Sequence, residues 1–205
     1  EQLMLRKNWD ATGSFLKADR GLALDLLGFK SQLVFNTFWN GYLVRLEQGN
    51  DVDLTYGVAR AHNRALLDFC APDRRLLASC YVPLMVFDRP AVSAAEAIKA
   101  GAKALLIASA CPQTHSPSHL NLFPVWQQAE EAGIPIVMHV GGGGRLLSPA
   151  YFENGLPPVK DFHGGDENFR SVDYMAIPGP PAQTLATLII DGVMERFPRL
   201  KFGVI

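Results

Sequence analysis

The chain has 205 residues, enough to bury a sizeable core in one domain. Hydrophobic residues make up 48% and charged residues 19%, which argues against a disordered segment. The formal net charge is −1 and no Lys/Arg-rich run occurs, which argues against nucleic acid and acidic membrane surfaces as partners. No apolar stretch is long enough to span a bilayer. The cysteines are Cys70, Cys80 and Cys111, an odd number without a C-x-x-C pair. They read as reduced, mostly buried thiols, and a cytoplasmic location is expected. The sequence starts at Glu1 without Met or a signal peptide and stops at Ile205 inside an apolar run. The expectation is that the natural protein continues.

Residues 1–19 read as irregular. Gly21–Leu27 predicts a short helix closed by Gly28, and Gln32–Asn36 a strand. Phe38, Trp39 and Tyr42 follow that strand in an expected glycine-containing loop. Asp53 is placed to cap a helix through Phe69, because Leu54, Val58, Ala61, Ala65 and Phe69 recur at helical spacing. Leu76–Leu84 predicts the next strand, broken near Pro83. Ser93 and Glu96 form a capping-box pattern for a helix ending at Gly101. Ala104–Ala108 predicts a third strand, followed by a Cys/Pro/Ser/His-rich loop over 109–119. Asn121 is a candidate cap for a helix ending at Gly133, with Pro124 in its first turn.

Ile134–Met138 then predicts a strand buried on both faces, with His139 at its C-terminal end and Gly141–Gly144 just beyond. Residues 141–181 lack a strong period, which is more typical of a lid than of a plain connection. Leu185–Val193 marks a last helix and Leu200–Ile205 a fifth strand. Strands and helices alternate, and the strands are apolar without clean alternation, so a parallel sheet covered by helices is expected. Neither a dinucleotide-binding glycine pattern nor a Walker sequence occurs. The fold expected is α/β, a partial (β/α)8 barrel in one domain over 1–205.

Among residues able to do chemistry, His139 comes first. The C-terminal ends of parallel strands are where such folds bind ligands, and a neutral imidazole ligates zinc and similar ions well. A buried, hydrogen-bonded structural histidine is the alternative. The Gly141–Gly144 run suits a hinge better than a phosphate cradle, because no helix starts there. His115 and His119 have ligand spacing, but Pro117 between them favours a solvated loop. His163, Asp166 and Glu167 suit a polar loop tip, and His62 reads as structural. Glu130–Glu131 and Arg74–Arg75 read as solvated charges. Ser109 and Ser148 lack a nucleophile-elbow context. On a barrel, Phe38, Trp39 and Tyr42 would lie on the same face as His139 or pack against the lid.

A succession of motifs then marks a resemblance. It runs Asn63…Ala71-Pro-Asp-Arg74, Leu76…Pro83-Leu84, Ala94–Gly101-Ala-Lys-Ala104, Asn121-Leu-Phe-Pro-Val-Trp126, Gly133-Ile-Pro-Ile-Val-Met-His139 and Glu195-Arg-Phe-Pro-Arg-Leu-Lys-Phe202. From about Gly21 onward the chain resembles the amidohydrolase superfamily, in the branch that includes aminocarboxymuconate-semialdehyde decarboxylase. The resemblance implies a TIM barrel holding a divalent metal, zinc or sometimes manganese. It also implies action on a small aromatic or unsaturated carboxylic acid, by decarboxylation or by hydrolysis of an amide, ester or lactone. His139 matches the metal-ligand histidine at the end of the fifth barrel strand. The strands seen here would then be the second to the sixth. The family's His-x-His pair would precede Glu1, the sixth-strand ligand would follow Ile205, and the eighth-strand aspartate would come later still. Phe38, Trp39 and Gly141 are the expected substrate-binding residues, and a homo-oligomer, a dimer, is the expected assembly. A barrel that binds a ligand without turnover is the reading from another class. Five strands cannot close such a barrel, so residues 1–205 alone are expected to expose apolar edges.

Overall fold

The computed structural model describes residues 9–140, 148–153, 155 and 177–205. The elements run α1 (Lys17–Leu27), β1 (Gln32–Val34), α2 (Thr37–Glu47), α3 (Val52–Cys70), β2 (Leu76–Tyr81), α4 (Pro90–Lys99) and β3 (Ala104–Ile107). A 3-10 turn (Leu120–Leu122) leads into α5 (Phe123–Ala132), then β4 (Ile136–Met138), a second 3-10 turn (Pro149–Phe152), α6 (Gly179–Ile190), α7 (Val193–Arg196) and β5 (Phe202–Val204). All strand pairs are parallel and the order is β1-β2-β3-β4-β5. The five expected strands are therefore present in chain order, each shorter than its apolar run.

The sheet curls into a half barrel. On a flat sheet the ends of β1 and β4 would stand about 14 Å apart, three strand spacings. Yet the rings of Phe35, just after β1, and His139, just after β4, meet edge-on with centroids 5.0 Å apart. Curling gives the sheet two buried faces. Tyr81, Ala104, Leu106 and Val137 share one cluster with Leu33 and Phe35 on the concave side. Cys80, Leu105, Ile107, Ile136 and Met138 pack outward with Val125, Trp126 and Ala129 of α5 and Ala94 and Ala97 of α4. Burial on both faces explains why β3 and β4 are apolar at consecutive positions.

Several expectations about element starts are corrected. Phe38, Trp39 and Tyr42 do not lie in a loop: Asn36 accepts from the Trp39 amide and opens α2 directly after β1. Asp51, not Asp53, caps α3 through the Leu54 amide at 2.9 Å, leaving Asp53 to pair with Arg89 at 2.6 Å. The Ser93–Glu96 capping box does not form. Pro90, whose fixed φ suits a first helical turn, starts α4 earlier, so the Ser93 amide already donates to Arg89 O and Glu96 pairs with Arg60. Asn121 does not cap α5; it sits in the preceding 3-10 turn, which His119 caps. Gly28 closes α1 and Gly133 closes α5 in left-handed conformation, where glycine meets no Cβ penalty.

Of the expected lid, the described residues include the Pro149–Phe152 turn and the start of α6; Gly141–Gly144, His163, Asp166 and Glu167 lie outside them. Cys70 and Cys80 are buried free thiols, whereas Cys111 is exposed. No described helix is long and apolar enough to cross a membrane.

Candidate functional site

The concave mouth is formed where the strands end. His139 is the first residue beyond β4 and is half-buried. Its Nδ1 lies 2.5 Å from Val140 O. A carbonyl only accepts, so Nδ1 carries the proton and the lone pair belongs to Nε2. That tautomer and a ring held by a backbone bond are what a metal-ligating histidine needs. Among the described residues, no group of three or more His, Cys, Asp or Glu could hold an ion. The residues present therefore fit one ligand of a metal centre rather than a whole one. Trp39 is half exposed on the first turn of α2, its ring 5.6 Å from that of Tyr42. The Phe38 side chain and Gly141 lie outside the described residues.

The second feature of the mouth escaped the sequence reading. Glu47, the last residue of α2, is buried. Its Oε1 accepts from the Leu84 amide at 2.7 Å and its Oε2 accepts from the Tyr81 hydroxyl. Tyr56 closes the same pocket by donating to Pro83 O at 2.8 Å. Burial pushes the Glu47 carboxyl up to about 7, against the lowering effect of its two hydrogen bonds. The same burial, and the proximity of Glu47, raise the Tyr81 and Tyr56 hydroxyls. With α2 in view, an acid at its C-terminus stands out because the helix dipole favours cations there, but the sequence around Glu47 shows no helix end to reveal it.

This gives a prediction with a defined sign. Between the ordinary value of 4.5 and about 7, the folded state holds a proton that the unfolded state has released. Stability should therefore fall as pH rises through that window, with the loss complete above about 7. At about 1.4 kcal/mol per pH unit the difference is roughly 3 kcal/mol. Urea unfolding at pH 5 and pH 8 should show this excess loss in the wild type relative to Glu47→Gln, which cannot titrate. Equal pH slopes in both proteins would mean that Glu47 keeps an ordinary pKa.

Other charged and polar groups also differ from expectation. His115 is half-buried rather than solvated. Its Nε2 donates to Leu84 O at 2.8 Å, and its ring and that of His119 each lie 4.3 Å from Phe87. Burial holds the His115 imidazole below its usual value. Arg75 is not a solvated charge: it grips Asp73 and Asp25 and donates to Gly21 O. Glu130 accepts from the Arg199 amide at 2.7 Å and ties α5 to the turn before β5. His62 lies beside Asn63 on α3, in keeping with a structural role.

The Amidohydrolase family profile matches residues 8–204, nearly the whole chain. The chain belongs to the amidohydrolase family. Among solved structures, an amidohydrolase from Mycobacterium avium subsp. paratuberculosis K-10 is 22% identical with a TM-score of 0.73, over 94% of this chain and 48% of that one. The 2,6-dihydroxybenzoate decarboxylase from Rhizobium is 18% identical with a TM-score of 0.67, over 92% and 55%. The 5-carboxyvanillate decarboxylase of Novosphingobium aromaticivorans, solved with bound manganese, is 20% identical with a TM-score of 0.64, over 92% and 49%. No curated protein matches in sequence. This amidohydrolase chain spans about half the length of the solved structures it matches.

Proposed function

We propose that this protein is a metal-dependent amidohydrolase-type enzyme that decarboxylates a small aromatic or unsaturated carboxylic acid. The observation that carries the reading is His139. It stands at the C-terminal end of β4 in an amidohydrolase half barrel, with Nδ1 engaged and the Nε2 lone pair left for a ligand. Two of the similar structures are decarboxylases of aromatic acids, and manganese in one of them supports a divalent ion. Zinc is the metal proposed, with manganese as the alternative.

When bound, the ion would supply a positive charge able to polarise a carboxylate or carbonyl oxygen. The chain's own residues supply the rest of the mouth. Phe35 packs edge-on against the His139 ring and fixes its plane. Phe38, Trp39 and Gly141 are proposed to line the substrate's path, with the exposed Trp39 ring, tilted 54° to that of Tyr42, offering an aromatic face suited to a ring-bearing acid. The segment 141–181 is proposed as a lid, the assembly as a dimer and the location as the cytoplasm.

Hydrolysis of an amide, ester or lactone is the second reading, favoured by the family to which the chain belongs. The two are separated by incubating the full-length protein with a panel of hydroxybenzoic and unsaturated acids and their lactones. Released CO2 is measured beside newly formed acid. CO2 in step with substrate loss is the expected result. Ring-opened product without CO2 would refute decarboxylation, and binding without either product would point to a non-catalytic barrel.

A further inference from the structure

The end of α2 is the hub of a closed circuit of hydrogen bonds. Glu47 accepts from the Leu84 amide, in the loop between β2 and α4. Leu84 O in turn accepts from His115 Nε2, in the loop between β3 and α5. His115 O accepts from Cys111 Sγ at 3.5 Å, and Cys111 O accepts from the Gln48 side chain at 3.1 Å. Gln48 is covalently joined to Glu47, so the circuit closes. Gln113 Nε2, donating to Gln48 O, doubles the last link. The Phe87 ring, lying 4.3 Å from both His115 and His119, joins the two loops from the side.

The position of the circuit matters. β2 and β3 lie between β1 and β4 in the sheet, and the residues that follow β1 and β4, Phe35 and His139, touch each other. The loops after β2 and β3 therefore border the same mouth as His139. Val82 and Leu84 root the first loop in the core, whereas Cys111, Gln113 and Thr114 leave the second loop exposed over the stretch that the circuit ties down. Its shape depends on polar ties, and the most buried of them is the Glu47 carboxyl. A buried carboxyl is costly to desolvate, and each oxygen of this one is spent on a fixed group, the Leu84 amide and the Tyr81 hydroxyl.

We infer that Glu47 is a positioning residue: by gripping Leu84 and Tyr81 it holds the β2–α4 and β3–α5 loops as one wall of the site that His139 enters. The inference rests on the function proposed above for the substrate it shapes, but not for the circuit itself. Glu47 does not touch the reacting atoms; it acts through Leu84 and His115.

The test compares Glu47→Ala, Glu47→Gln and Tyr81→Phe with the wild type in the full-length protein, using amide exchange and steady-state kinetics on the acid panel. In Glu47→Ala, exchange should speed by tenfold or more in residues 82–87 and 109–119, with β3 and β4 unchanged. KM should rise about tenfold while kcat changes less than threefold. Glu47→Gln can still accept from Leu84 and should restore both readouts to within threefold. Tyr81→Phe frees one carboxyl oxygen of Glu47 and decides the case if Glu47→Ala does not fold: exchange at 82–87 and 109–119 should speed together by a few-fold, and no change in either segment would overturn the inference. Uniformly faster exchange in Glu47→Ala would show a merely structural role and overturn the inference. So would faster exchange confined to 82–87, or an unchanged KM beside a loosened wall. If the wild type turns over none of the acids, the proposed function fails, while the exchange pattern still decides the circuit.

Discussion

Replacing His139 with alanine should strip the divalent ion from the protein and lower kcat/KM by roughly a thousandfold, about 4 kcal/mol of transition-state stabilisation. Metal analysis of the purified full-length variant beside the wild type is the direct measurement. The expected loss is large because Nδ1 of His139 is committed to Val140 O, which leaves the Nε2 lone pair for the proposed ligand role. The direct effect on folding should be small. The side chain is half-buried, and its ring contact among the described residues is the edge-on packing with Phe35, worth about 1 kcal/mol. A variant that unfolds at nearly the wild-type urea midpoint in metal-free buffer, yet binds no metal, therefore separates ligation from folding. His139→Gln makes the contrast sharper, because it keeps polarity and size without an imidazole. Equal divalent metal in wild type and variant would remove His139 from the site.

The parts of this structure that were legible in the sequence share a physical basis. A strand buried on both faces must be apolar at consecutive positions, so Ala104–Ile107 and Ile136–Met138 stood out without any partner in view. His139 stood out because it breaks such a run where ligands bind. What was not legible depends on residues distant in sequence. Glu47 looks like an ordinary surface acid until Tyr81 and Leu84, more than thirty residues away, close over it. Pro117 correctly kept His115 and His119 out of a helix, but nothing local shows that His115 docks on Leu84 O. Arg75 and Glu130 were read as solvated for the same reason: their partners Asp25 and Arg199 come from other elements. The helix starts differ in kind. Asp51 and Pro90 are local signals as well: Asp51 keeps the extended backbone that lets its carboxylate reach the Leu54 amide, and Pro90 starts α4 three residues before Ser93.

Asn63→Ala should destabilise the fold by roughly 2–5 kcal/mol, a large share of the typical 5–15 kcal/mol of a folded domain. Asn63 is buried on α3, and its side chain meets the Tyr81 backbone twice. Nδ2 donates to Tyr81 O at 2.8 Å, and Oδ1 accepts from Tyr81 N at 2.7 Å. The sheet itself leaves these groups without a strand partner. Along β2, the backbone of Ala78 and of Val82 bonds toward β3, as seen in Lys103 N to Ala78 O and Val82 N to Leu106 O. The alternate residues face β1, and the β1 pairing ends at Val34 opposite Ala78. Tyr81 therefore points its amide and carbonyl at an edge where no strand continues, and the Asn63 amide takes the place of the missing residue. Alanine would leave both backbone groups buried and unpaired, at about 1–3 kcal/mol each. Asp at this position would keep the acceptor, lose the donor and set a carboxylate against a carbonyl, so it should be at least as damaging. Urea unfolding with an unchanged slope measures the difference. A loss below about 0.5 kcal/mol would mean that water or a shift of the β2 end satisfies Tyr81 instead. The same bonds hold the residue whose hydroxyl reaches Glu47, so the anchoring of β2 by α3 and the anchoring of the mouth by α2 meet at Tyr81.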